Sequence, residues 1–143
     1  AAILSLMENQ KLVAEGAGAV PVAAALFHKL PIEGKKVVCV ISGGNIDVNI
    51  LSRVITRGLV MSGRKANLTI ALEDKPGQLQ RVAEIVSRCG SNVVSVLHDG
   101  SDPNMPISSC FLKLTLETRD AVQIEQIRAE LTKEGFQLVS ERV

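Results

Sequence analysis

Aromatic residues and pairable cysteines are scarce in this chain of 143 residues, which has three Phe, no Tyr and no Trp. A sheet that binds single-stranded nucleic acid needs several aromatic side chains on which bases can stack, so the composition disfavours that function. The three cysteines, Cys39, Cys89 and Cys110, are far apart and stand in apolar runs. They suggest neither a disulfide framework nor a CxxC pair, and we expect a reducing, cytoplasmic compartment.

The sequence also lacks a strong charge of either sign and a long apolar run. Its formal net charge is +1 and 22% of its residues are charged, so bulk charge does not attract a polyanion. No apolar stretch approaches the roughly 20 residues that cross a bilayer. Hydrophobic residues make up 46% of the chain, which is enough for a buried core. We therefore expect a folded protein with no nucleic-acid or membrane partner.

The residue pattern changes near Gly63, and we predict two parts, residues 1–63 and residues 64–143. The first part is rich in Ala, Val and Gly. Its one apolar run of strand type, residues 35–41 (KKVVCVI), suits a strand buried on both faces. One strand is too few for a parallel sheet, so we expect the end of a larger α/β domain. Its apolar side chains are then expected to pack against the second part or a partner chain.

Two helices are predicted in the first part. Residues 18–28 suit a buried helix, with Pro21 tolerated in its first turn. Asp47 is well placed to cap a second helix, which continues to about Arg57 and ends at Gly58.

Strand and helix patterns follow one another in a regular series in the second part. The predicted strands are residues 67–73, 92–98, 108–117 and 136–140. The first helix has an apolar stripe of Leu79, Val82, Ala83 and Val86, and the second helix spans residues 120–134. This βαββαβ order predicts a four-stranded antiparallel sheet with both helices on one face. Dimerisation through exposed strand edges is a reasonable expectation.

Signatures of an enzyme or of a metal site are weak throughout the chain. His28 and His98 have no paired Cys or acidic residue at metal-ligand spacing, so we expect no metal. Cys110 falls at an inward position of a strand, which favours a buried, inert thiol. The motifs GxSxG and GxxxxGK[ST] do not occur. We predict no catalytic residue in this chain.

A first candidate ligand site follows the apolar run 35–41. The four residues are Ser42, Gly43, Gly44 and Asn45. Ligands of α/β sheets bind at the carboxyl ends of strands, glycines let the backbone approach a flat ligand, and a serine hydroxyl can donate to a ring nitrogen. A plain strand-to-helix turn explains the same residues equally well.

A second candidate site is the turn between the first strand and the first helix of the second part. Backbone N–H groups at the start of a helix favour a carboxylate, and the amide of Asn92 both donates and accepts hydrogen bonds. A capped turn without a ligand is the alternative. The predicted effector-binding residues are Asp74, Lys75, Pro76, Gly77, Gln78, Leu79, Asn92 and Val93.

Both parts carry motifs that resemble known families. Residues 66–143 resemble an ACT domain, a βαββαβ module that binds amino acids and regulates metabolic enzymes, through the DKPGQL turn and Asn92. Residues 8–63 resemble the carboxyl end of the catalytic domain of threonine dehydratases (threonine ammonia-lyases), which are pyridoxal-phosphate enzymes of the tryptophan-synthase-β fold type. The matching segments are AEGAGA at 14–19, VVCVISGGNID at 37–47 and RGLV at 57–60.

The resemblance implies a fold and a role for each part. Residues 64–143 are expected to be an α+β, ferredoxin-like ACT domain. Residues 1–63 are expected to be the carboxyl-terminal strand and helices of a fold-type II α/β domain, plus a linker. Ser42 would correspond to the serine that hydrogen-bonds the cofactor's ring nitrogen, with Gly43, Gly44 and Asn45 along the ring edge. The family's Schiff-base lysine motif is not found in this sequence, so we expect no bound cofactor and no lyase activity from this chain alone.

The leading functional hypothesis is a regulatory portion of a threonine dehydratase. It would bind a small amino acid, with Ile, Val or Thr as candidates from the resemblance, assemble as a homodimer or higher homo-oligomer, and pass the change on through residues 59–65. The alternative is a dimerisation module that binds no ligand.

Overall fold

The structure is a computed structural model that describes residues 1–103 and 105–139. The chain divides into two compact units, Ala1–Gly58 and Leu59–Val143. Each unit has its own cluster of buried apolar side chains. The division falls a few residues before the boundary that the sequence predicts, within a helix that spans residues 48–61.

The first unit consists of short helices joined by loops. Its α-helices are α1 (Ala2–Ser5), α2 (Val20–Leu26) and α3 (Val48–Met61), and a π-helical turn, Leu6–Gln10, follows α1. The buried cluster contains mostly small side chains, which remove little apolar area from water. Its members are Ala2, Leu6, Ala14 and Ala19.

The prediction of a strand at residues 35–41 is wrong, because this segment is an irregular loop. The exposed fractions of Val37, Val38 and Val40 are 47%, 90% and 73%. A strand needs hydrogen-bonded neighbours, and residues 1–58 contain no other strand to pair with it. The predicted burial of these valines is therefore not found in this chain. The prediction of a buried helix at 18–28 is also wrong in its burial, since α2 has no buried side chain.

Asp47 caps α3 as predicted, but Gly58 does not end the helix. The carboxylate of Asp47 accepts hydrogen bonds of 2.8 and 3.2 Å from two backbone N–H groups of the first turn. Gly58 is buried inside α3, where an added Cβ would collide with Leu4. The glycine thus permits a close approach between two helices. α3 ends at Met61, before Gly63 takes a φ of +69°.

The second unit has the βαββαβ order that the sequence predicts. Its strands are β1 (Lys65–Glu73), β2 (Asn92–Asp99), β3 (Ser109–Glu117) and β4 (Gln137–Val139). Its helices are α4 (Gln78–Arg88) and α5 (Ala121–Lys133). The sheet order is β2-β3-β1-β4 with every neighbouring pair antiparallel. The predicted ferredoxin-like fold is confirmed, and Ser140 of the predicted last strand lies outside the described residues.

The directions of the strands determine which strand ends lie close together. Because β1 and β2 are both antiparallel to β3, they run in the same direction. Lys65 and Asn92, at their starts, are both paired with Glu117. Glu73 and Asp99, at their ends, lie at the opposite end of the sheet, near the start of β3. Residues that follow β1 therefore lie close to the last residues of β2.

The core of the second unit lies between one sheet face and the two helices. The inward positions predicted in β1 and β3 are all buried: Leu68, Ile70, Leu72, Cys110, Leu112, Leu114 and Leu116. On α4 the stripe differs from the prediction, because Leu79 and Ala83 are exposed. Ile85 and Cys89 are buried beside Val82 and Val86 in their place.

β2 forms one edge of the sheet and has exposed apolar side chains. The exposed fractions of Val94, Val96 and Leu97 are 50%, 43% and 57%. An exposed apolar edge strand can pair with another chain. Within the described part of the chain, none of the helices has the length and apolar character needed to cross a membrane.

Candidate functional site

The turn after β1 leads directly into α4. Its first amide, the N–H of Asp74, donates to the carbonyl oxygen of Ser108 at 2.8 Å, which fixes the turn to the loop before β3. Gly77 takes a φ of +89° and has no atoms within 4 Å of an added Cβ. Glycine is favoured here for its backbone conformation rather than for a close packing contact.

The amino end of α4 has no side-chain cap, in contrast to the start of α5. Asp120 accepts a hydrogen bond of 2.8 Å from the N–H of Gln123 and so caps α5. Gly77 occupies the corresponding position of α4 and has no side chain to accept such a bond. No capping side chain therefore accepts a hydrogen bond from the backbone N–H groups of the first turn of α4, which lie at the positive end of the helix dipole.

A hollow of about 350 Å³ adjoins this turn. Its apolar wall includes Leu72, Leu112 and Leu79. Leu79 is exposed because its side chain lines this hollow instead of packing in the core. The six residues from Asp74 to Leu79 all line the hollow. The structure thus brings together the predicted residues Asp74, Lys75, Pro76, Gly77, Gln78 and Leu79 around one cavity.

Two predicted site residues lie elsewhere. Asn92 is at the start of β2, at the end of the sheet opposite the turn, and its Nδ2 donates to Oε2 of Glu117 at 3.2 Å. Val93 pairs with Leu116 and packs against the core. The expectation that Asn92 and Val93 lie beside the turn of their own chain is wrong, because β1 and β2 run in the same direction. His98, near the end of β2, takes that place.

His98 and Cys110 are residues of this hollow that the sequence did not assign to it. The Nε2 of His98 lies 3.4 Å from Oδ1 of Asp74, and both side chains are about half exposed. Cys110 is only 1% exposed. Burial raises the pKa of its thiol, and the nearby charge of Asp74 raises that pKa further. The three residues come from different strands or strand ends, so only the strand register places them together.

Ion pairs neighbour the hollow but leave its helix end open. Lys75 forms an exposed ion pair of 2.5 Å with Glu73, and this hydrogen bond and charge lower the pKa of the Glu73 carboxyl. A larger hollow of about 540 Å³ lies nearby and includes Arg81, Glu134 and Phe136. The guanidinium of Arg81 there contacts Glu134 at 3.9 Å and the ring of Phe136 at 5.1 Å. The smaller hollow is the better candidate because no side chain caps the amino end of the helix beside it.

Ser42, Gly43, Gly44 and Asn45 form an exposed loop in the first unit. The N–H of Glu15 donates to the carbonyl oxygen of Gly43 at 3.2 Å, and an added Cβ on Gly18 would collide with the backbone of Ser42. Two segments that carry the resemblance, 14–19 and 42–45, are therefore in contact. The exposed serine and the glycine backbone suit one edge of a flat ring. None of these four residues carries a positive charge that could bind a phosphate group.

Comparisons with known proteins identify close relatives. The chain is 49% identical over 137 residues to L-threonine ammonia-lyase of Thermotoga maritima, a match that covers 96% of this chain and 34% of that protein. It is 41% identical over 135 residues to L-threonine ammonia-lyase of Geobacter sulfurreducens, covering 94% of this chain and 34% of that protein. A biosynthetic L-threonine dehydratase of Halalkalibacterium halodurans is 41% identical over 78 residues, which are 54% of this chain and 19% of that protein.

Two solved structures are similar to about half of the chain. The ACT domain from GTP pyrophosphokinase of Chlorobium tepidum matches with a TM-score of 0.41 and 15% identity, covering 52% of this chain and 96% of that one. Prephenate dehydratase of Arthrobacter aurescens, solved in complex with L-Phe, matches with a TM-score of 0.40 and 14% identity, covering 55% of this chain and 27% of that one. The fold assignment rests on the strand order itself.

These comparisons agree with the motifs in both units. No family model matches the chain. The chain spans about a third of the length of the two relatives that it matches almost throughout. Over nearly all of its length, the chain is homologous to the threonine ammonia-lyases, and the resemblance to that enzyme family seen in its sequence is confirmed.

Proposed function

We propose that this chain is the carboxyl-terminal, regulatory portion of a threonine ammonia-lyase. In this proposal its ACT domain, residues 64–143, binds a small amino acid and tunes the deamination of threonine to 2-oxobutanoate and ammonia by the whole enzyme. The observation that carries the proposal is the hollow beside the uncapped amino end of α4, with the Asp74 carboxylate at its rim. The catalytic residues of the reaction belong to other parts of the enzyme.

The hollow offers complementary partners for each group of a free amino acid. The N–H groups of the first turn of α4 bind the carboxylate, which the positive end of the helix dipole favours. Asp74 accepts hydrogen bonds from the ammonium group. The leucine side chains at 72, 79 and 112 contact an aliphatic side chain. A volume of about 350 Å³ is at the lower end of ligand pockets, which suits an amino acid of the size of valine or isoleucine.

The first unit belongs, in this proposal, to a catalytic domain that holds pyridoxal phosphate in the whole enzyme. Residues 1–63 are its carboxyl-terminal part and linker. Ser42 would donate a hydrogen bond to the ring nitrogen, and Gly43, Gly44 and Asn45 would lie along the ring edge. The cofactor supplies an electron sink for the loss of the β-hydroxyl group. The exposed Val37, Val38 and Val40 fit a segment whose sheet neighbours are supplied by the rest of that domain.

Two copies of the chain are proposed to pair through the β2 edge. Antiparallel pairing of β2 with itself places the start of one strand beside the end of the other. Asn92 of one copy would then lie near His98 and the hollow of the other, a position that it does not reach in its own chain. The exposed Val94 and Leu97 favour such an interface.

Calorimetric titration of the chain with L-Ile, L-Val, L-Thr and L-Ser tests the effector proposal. We expect binding of at least one of these amino acids, and Asp74→Asn is expected to weaken it by about tenfold or more. A hydrogen bond to a charged group contributes about 1.5–3 kcal/mol, which corresponds to that factor. No heat from any of the four amino acids would overturn the proposal.

Glu125→Gln provides the matched control for this titration. It makes the same change from carboxylate to amide on a side chain of α5 that is 76% exposed and does not line the hollow. Its affinity for the amino acid is expected to equal that of the unmodified chain. Equal weakening by both variants would show that Asp74 has no specific role.

The exposed β2 edge also favours a second function, that of an assembly module without a ligand. Light scattering with and without the four amino acids separates the two. A dimer that forms without amino acids and gives no heat with any of them would support assembly alone. A dimer that binds an amino acid, and loses that binding in Asn92→Ala, would support a site shared between two copies.

A further inference from the structure

We propose that Asp74, His98 and Cys110 form a site for one divalent cation of the zinc type. A carboxylate oxygen, an imidazole nitrogen and the cysteine sulfur of these residues all lie within 4.8 Å of one another. Carboxylate, imidazole and thiolate are the groups that bind Zn²⁺ in proteins, at about 2.0–2.3 Å from the metal. The site does not depend on the proposed regulatory function, since it follows from the side chains of this unit alone.

The sheet holds the sulfur in a fixed position. Cys110 lies in β3, which is paired with β1 on one side and with β2 on the other, and Cys110 is directly opposite Leu72. His98 of β2 is opposite Leu112, which follows Cys110 by two residues in β3. Residues on one face of a strand alternate, so the sulfur of Cys110 and the imidazole of His98 project from the same face of the sheet.

The other two ligands can adjust to the metal. The side chains of His98 and Asp74 are 55% and 53% exposed, and they already contact each other at 3.4 Å. Ligand atoms around a tetrahedral zinc lie roughly 3–4 Å apart, given metal–ligand distances of about 2.0–2.3 Å. Small side-chain rotations therefore bring the three atoms to that spacing, while the backbone of the paired strands stays in place.

A cation also changes the charge balance at the buried thiol. Cysteine binds Zn²⁺ as the thiolate, so the buried Cys110 thiol gives up its proton when a metal binds. Binding forms a sulfur–metal bond and releases that proton to solvent. The metal compensates the negative charges of the thiolate and of Asp74 together. Three protein ligands leave a fourth coordination position for a water molecule or a small ligand in the hollow.

Titration of the chelator-treated chain with Co²⁺ tests the site, because a cobalt–thiolate bond has a charge-transfer absorption in the near ultraviolet. We expect this absorption to reach its limit at one Co²⁺ per chain and to disappear when Zn²⁺ is added in excess. Cys110→Ser is expected to abolish the absorption, and His98→Gln is expected to weaken Co²⁺ binding at least tenfold. Absence of the absorption in the unmodified chain would overturn the proposal.

Cys89→Ser is the matched control, since Cys89 is also a buried, free cysteine whose pKa is raised by burial. It is expected to keep the full cobalt absorption. His98→Gln changes a half-exposed side chain, so it tests the site even if Cys110→Ser fails to fold. An unchanged absorption and affinity in His98→Gln, or loss of the absorption in Cys89→Ser, would contradict the assignment.

Amino-acid titrations with a chelator or with Co²⁺ separate this proposal from the effector proposal. Both ligands use Asp74, so amino acids are expected to bind more weakly when Co²⁺ is present. Amino-acid binding without any cobalt absorption would overturn the cation site alone. Cobalt absorption without any amino-acid binding would overturn the effector proposal alone.

Discussion

Replacing Gln123 by methionine is expected to lower the free energy of unfolding of the second unit by about 2–6 kcal/mol. Gln123 is only 2% exposed. Its Oε1 accepts a hydrogen bond from the N–H of Arg119, and its Nε2 donates to the carbonyl oxygen of Cys89, both at 2.7 Å. Methionine preserves the volume and leaves both backbone groups without a partner, at about 1–3 kcal/mol each. Urea unfolding followed by circular dichroism measures the loss.

Gln126→Met is the matched control for this prediction, because Gln126 is an exposed residue of the same helix. A surface substitution of this kind is expected to change the free energy of unfolding by no more than about 0.5 kcal/mol. A loss below 1 kcal/mol in Gln123→Met, or equal losses in the two variants, would show that the buried amide does not join α4 to α5.

Replacing Gly63 by alanine is expected to cost roughly 2–5 kcal/mol. Gly63 has a φ of +69°, a conformation that costs an L-residue about 1–2 kcal/mol. An alanine Cβ would also collide with the backbone nitrogen of Ala121, which adds about 1–3 kcal/mol. The position is further fixed by Thr118, whose Oγ1 donates to the carbonyl oxygen of Gly63 at 2.6 Å. The same urea titration measures the effect.

Gly135→Ala separates the two contributions. Gly135 also follows a helix and has a φ of +87°, but an added Cβ there has no atoms within 4 Å. Only the backbone cost of about 1–2 kcal/mol is then expected. Equal losses in Gly63→Ala and Gly135→Ala would show that the backbone around Ala121 moves aside at little cost.

Local patterns were enough to predict the second unit because one face of its sheet is buried. Alternation in β3 shows directly which side chains face the core, and Cys110, Leu112, Leu114 and Leu116 are buried as expected. The run 35–41 has the same apolar character, yet it forms no strand. Its pattern suits a sheet whose other strands are not present in residues 1–58, and a local pattern does not report whether such neighbours exist.

For the candidate site, the sequence predicted the residues of one turn but not the residues that strand pairing brings to it. Its turn residues are consecutive, so a short motif predicts them together. Asn92 was misplaced because a pattern locates a strand without its direction, although the parallel course of β1 and β2 follows from a βαβ crossover. The meeting of Asp74, His98 and Cys110 depends on the pairing register of three strands. The spacing of these residues in the sequence carries no sign of that register.

The missing cap of α4 also affects the dynamics of the unit. Gly77 at its N-cap costs α4 only about 0.3 kcal/mol relative to a capping side chain, so its first turn frays slightly more readily than that of α5. A carboxylate bound there would slow hydrogen–deuterium exchange at the amides that begin α4. Because the far end of α4 is joined to α5 through Cys89 and Gln123, slower fraying at the turn stiffens a helix that is already anchored at its other end.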